Sequence, residues 1–173
     1  MTVSDTSLDE SGSNSPKVAA TSLLLRTTRG SSDAYSATAN GFTWNMSNWH
    51  NNNNNWSFVK AGPKKGNNES VNTSVAAIVT STTMSESIKT IVVTIDKIID
   101  KASVSSIVLE SASKVDFSDS KTIETKSNVL AGEVKFTILS PKSNQYYKLT
   151  FNCSNTSTTG GVVQVSKVTY SNE

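Results

Sequence analysis

Apolar and polar side chains alternate with a period of two along much of the chain, the spacing of a strand with one buried face. Val134, Phe136 and Ile138 alternate with Lys135 and Thr137, and Tyr147, Leu149, Phe151 and Cys153 with Lys148, Thr150 and Asn152. Ile91, Val93 and Ile95 share one side of their segment, Val92 and Thr94 the other. Turn chemistry such as Pro141-Lys-Ser-Asn144 and Gly160-Gly161 separates these runs. The pattern predicts strands near 19–26, 41–47, 56–60, 74–82, 88–97, 103–111, 121–126, 132–140, 145–153 and 161–170. No segment sustains a helical period. Strands with one wet face belong to antiparallel sheets, so the expected fold is all-β: a single antiparallel β-sandwich over residues 18–173.

Residues 1–17 break the pattern. They are rich in Ser, Asp, Gly and Asn, with Pro16 near the end, and read as an extended N-terminal arm that orders against a partner. Met1–Pro16 has neither the basic start nor the apolar stretch of an export signal. Val18–Leu25 is too short to cross a bilayer, so no membrane span is expected.

Composition adds little that is positive. Sixteen basic and 14 acidic side chains leave a net charge of +2, which argues against a nucleic-acid partner, whose phosphates call for clustered Lys and Arg. Lys60, Lys64 and Lys65 make the one dense basic spot and read as a solvated loop. Thirty serines, 21 threonines and 17 asparagines account for 68 of the 173 residues, a usage common in strand-rich exposed proteins. The single cysteine, Cys153, allows no intrachain disulfide and continues the inward face of Tyr147, Leu149 and Phe151.

Catalytic chemistry is sparse. His50 is the only histidine and adjoins an asparagine run, where no rigid element would hold it beside a serine and a carboxylate. A zinc site needs three or four His or Cys ligands, and the chain has two such residues. The close carboxylate pairs, Asp96 with Asp100 and Asp116 with Asp119, fall at expected strand ends or turns, where Asp caps backbone. Gly62-Pro-Lys-Lys-Gly66 lacks the spacing of a phosphate loop. Neither cofactor nor enzymatic activity is expected.

All three tryptophans lie between Gly41 and Lys60, with Asn51–Asn55 running between two of them. Trp44 and Trp56 fall on expected strands and read as core. Trp49, beside the asparagine run, has two readings: core, or an outward platform on which a sugar could stack. Trp49, His50 and Asn51 are therefore the candidate ligand-binding residues.

Phe42-Thr-Trp44, Trp56-Ser-Phe-Val-Lys60, Ile91-Val-Val-Thr-Ile-Asp96, Ser106-Ile-Val-Leu-Glu110, Val115-Asp-Phe-Ser118, Tyr146-Tyr-Lys-Leu-Thr-Phe151 and Val165-Ser-Lys-Val-Thr-Tyr170 follow in a familiar order. Over about three quarters of its length the chain resembles jelly-roll-like β-sandwich modules of gut Bacteroidetes and Firmicutes surface proteins and their phages. The resemblance implies a non-catalytic module. The expected role is a structural or display protein on the outside of a larger assembly, a bacteriophage virion, contacting neighbouring subunits through the arm, with a homo-oligomer among the expected states. The alternative is a carbohydrate-binding or adhesion module at a bacterial cell surface or in secreted form, with glycans as partners.

Overall fold

The computed structural model describes residues 21–24, 34–39, 41–52, 56–61, 73–99, 101–155 and 161–173. The arm expected over 1–17 lies outside them. Twelve strands run through the described residues: β1 Thr21–Leu24, β2 Ala34–Ala39, β3 Phe42–Ser47, β4 His50–Asn52, β5 Trp56–Ala61 and β6 Thr73–Thr80. Then follow β7 Thr90–Ile99, β8 Ala102–Ala112, β9 Lys121–Val129, β10 Gly132–Thr137, β11 Tyr146–Asn155 and β12 Gly161–Ser171. All pairings are antiparallel, and the strands form two packed sheets. The all-β sandwich is what the alternation predicts.

One sheet has the order β10-β7-β12-β5-β4, with β1 also on β12; the other has the order β2-β3-β6-β11-β8-β9. The last eight strands thus fall in jelly-roll order, β5-β12-β7-β10 facing β6-β11-β8-β9, with the chain changing sheet at every step except the β8–β9 hairpin. The inward faces supply one core, which includes Ile91, Val93 and Ile95 of β7, Leu149, Phe151 and Cys153 of β11, and Val163, Val165, Val168 and Tyr170 of β12. Burying each large apolar side chain here stabilises the fold by about 1.5–3 kcal/mol. This clustering explains why the alternation is sharp in β7, β10 and β11, each of which lays one face on the core.

Two elements differ from expectation. Ala34–Ala39 and His50–Asn52 are strands. Neither contains the β-branched aliphatic residues that mark a strand in sequence. Both sit at sheet margins, held by backbone pairing with β3 and β5.

The seam between the sheets at β9 and β10 is closed by side chains. Glu124 accepts the outward Thr137 N–H at 3.1 Å, so a carboxylate takes a donor that the β10 edge would otherwise expose. Lys126 pairs with Glu124 and lies 5.9 Å from the centre of the Phe136 ring.

Candidate functional site

Of the three residues singled out in sequence, Trp49 offers no platform. Trp49 is 0% exposed. Its indole N–H donates to the Ala77 carbonyl at 3.0 Å, and its ring meets Phe151 edge-on, centroids 5.1 Å apart. The cause is Asn48, the link between β3 and β4, whose φ of 60° lies in the left-handed region that asparagine tolerates. The Asn48 amide donates to the Val75 carbonyl at 2.9 Å. As β3 and β4 belong to opposite sheets, this corner carries the chain across the sandwich and Trp49 fills the space between them. The outward reading of Trp49 is corrected accordingly.

His50 and Asn51 are also not in a loop. Their backbones form β4, opposite Phe58 and Ser57, while their side chains lie outside the described residues, as does that of Trp56. Trp44 is buried against Tyr170, centroids 5.9 Å apart, in accord with its core reading. Burial pushes the Tyr170 phenol well above its ordinary value, offset a little by the nearby Trp44 N–H. The two polar atoms do not reach a hydrogen bond of normal geometry.

Of the carboxylate pairs, Asp116 and Asp119 brace a turn as expected. Asp119 accepts the Ser113 hydroxyl at 2.5 Å, the Ser113 N–H at 3.2 Å and the Lys114 N–H at 3.2 Å. Asp116 accepts the Ser118 N–H at 3.0 Å. These bonds favour the ionised forms and hold both carboxyls below their ordinary values. Asp96 differs from expectation: it sits within β7, where the pairing with β12 shifts register, and one carboxylate oxygen is enclosed without a hydrogen-bond partner. Asp100 lies outside the described residues.

A cleft that no sequence motif announced opens at the end of the sandwich where β8 turns into β9. The Ser113–Ser120 turn forms one side and the 138–145 connection the other. It encloses about 490 Å³, within the range of small-molecule sites. Ile123 supplies apolar surface over the buried Ala112, Ile138 and Tyr147, and Ser111, Thr122, Ser140 and Gln145 supply hydroxyls and an amide. Lys121 and Lys142 stand exposed at it.

Both walls are fixed. Asp119 staples the first, and Phe117, at φ 56°, lays its ring near Tyr146 and 5.1 Å from the Lys148 ammonium, which pairs with Glu110 at 2.7 Å. The second is tied to the 81–89 connection by paired Met84 and Gln145 backbone bonds at 2.9 and 3.2 Å, and by the Ile138 N–H on the Lys89 carbonyl at 2.8 Å. Tyr147, 1% exposed, has no hydroxyl partner among the described residues, and burial pushes its phenol up to about 12. Its backbone N–H donates to the buried Thr80 hydroxyl at 2.8 Å.

The groups gathered here suit binding by charge, hydrogen bonds and apolar contact. No protein-family model and no curated protein matches the chain. No cluster of metal-ligating side chains occurs among the described residues, and no helix there is long and apolar enough to cross a membrane. Cys153, buried in the core, has its thiol pushed up to about 12, which keeps it in the unreactive neutral form.

Proposed function

We propose that this chain is a non-enzymatic display module, a jelly-roll sandwich on the outside of a bacteriophage virion, tethered to a neighbouring subunit through residues 1–17. The observation that supports this reading most is the β2 edge. Three of the sheet margins carry their own protection or offer little to pair with. β9 has Lys121, Glu124 and Lys126, β10 has Glu133 and Lys135, and β4 is only three residues long. β2, Ala-Tyr-Ser-Ala-Thr-Ala, is six residues long and holds neither charge nor proline, and among the described residues nothing pairs with its outer side. Such an edge is a template for strand addition.

β1 enters its sheet at Thr21 opposite Tyr170, after the arm has ended, so the sandwich does not need residues 1–17 to complete a described strand. Deleting them should abolish incorporation into the particle and leave the melting temperature of the sandwich unchanged. Normal incorporation of the shortened chain would sink the proposal.

A further inference from the structure

The end cleft suits a ligand of its own, whether or not the chain is tethered by its arm. Its charged groups are unequal. Asp119 is the acidic member, but both its oxygens already accept bonds from the Ser113–Lys114 backbone and the Ser113 hydroxyl. The side chains of Lys121 and Lys142 make no ion pair or hydrogen bond among the described residues. Two ammonium groups against one ionised carboxylate leave the cleft a net charge of +1, and the carboxylate's oxygens are the ones already engaged.

Short hydroxyl side chains and one amide line the same cleft and suit vicinal hydroxyls, with apolar surface from the half-buried Ile123.

We propose that this cleft binds a carboxylated sugar unit, such as a uronic or sialic acid residue at the end of a glycan. Lys121 and Lys142 take the carboxylate, Ser111, Thr122, Ser140 and Gln145 take ring hydroxyls, and Ile123 meets the C–H face of the ring. The turn stapled by Asp119 preorganises the site, so little ordering cost opposes a small ligand.

The test is a nitrogen-15 NMR titration of the full chain with sodium glucuronate and with N-acetylneuraminate, each up to about 20 mM, a range suited to millimolar affinity. Glucose and inorganic phosphate serve as comparisons. The expected result is amide shifts confined to 111–123 and 138–147 for at least one acidic sugar, and none for glucose. In Lys121→Gln/Lys142→Gln, two exposed substitutions, affinity should fall about tenfold or more with the melting temperature unchanged. Absence of localised shifts for both acids, equal affinity in the double variant, or glucose binding as well as the acids would each overturn the proposal. Phosphate binding as tightly as the sugar acids would overturn it too, since the cleft would then read charge alone.

Discussion

Replacing Trp49 with alanine separates a core tryptophan from a sugar platform. The side chain is fully enclosed, makes one hydrogen bond to the Ala77 carbonyl and packs edge-on against Phe151. Truncating a buried indole costs about 3–5 kcal/mol through lost transfer energy and the cavity left behind. The Ala77 carbonyl also loses its indole donor, a bond contributing about 0.5–1.5 kcal/mol within that total. For a chain of this size each kcal/mol moves the melting temperature by roughly 2–4 °C, so Trp49→Ala should melt roughly 6–20 °C below the parent. Urea unfolding followed by circular dichroism gives the free energy directly. Trp49→Phe keeps most of the apolar contact and should fall between the two. If Trp49→Ala lies within about 1 kcal/mol of the parent, the ring is not sealed between the sheets and the reasoning from Asn48 fails.

Two further outcomes follow from buried polar groups. Thr80→Val keeps the shape of the side chain but removes the acceptor of the Tyr147 N–H, and should cost about 1–3 kcal/mol by urea unfolding, whereas Thr80→Ser should cost much less. The second concerns alkaline pH. Cys153 rises from an ordinary 9.0, and Tyr147 from an ordinary 10.0, each to about 12. Below pH 9 both states of the chain hold these protons; between pH 9 and 12 the unfolded chain loses protons that the folded one keeps. Stability should therefore fall as pH rises through that window, by at most about 1.4 kcal/mol per pH unit for each group. Melting temperatures measured from pH 7 to 11 should stay level and then drop, and Cys153→Ala should soften the first part of the drop. A level profile to pH 11 would contradict the burial assigned to these groups.

What was legible in sequence is what period-two alternation can encode. β7, β10 and β11 are read directly because their inward positions are Ile, Val, Phe, Leu and Tyr against Lys, Thr and Asn outward. The Asp116–Asp119 turn was readable because short carboxylates cap nearby N–H groups. Trp49 was not, since its direction is set by the backbone of the residue before it. The left-handed Asn48 is the one signal that could have shown it. The cleft left no trace because Ser111–Ile123 and Ile138–Tyr147 meet only after β9 and β10 have been laid in opposite sheets. Side chains converging from separate loops have no spacing to recognise.

The central functional claim is that residues 1–17 join this sandwich to a neighbour by adding a strand to an open edge. Multi-angle light scattering of the full chain and of the chain lacking 1–17 tests it most directly, with β2 of a second copy as the receiving edge. The full chain should associate with rising concentration, and the association should be lost in the shortened chain with an unchanged melting temperature and lost again in Ser36→Lys/Thr38→Lys, whose charges guard β2. Equal molar masses for the full and shortened chains at every concentration would contradict it.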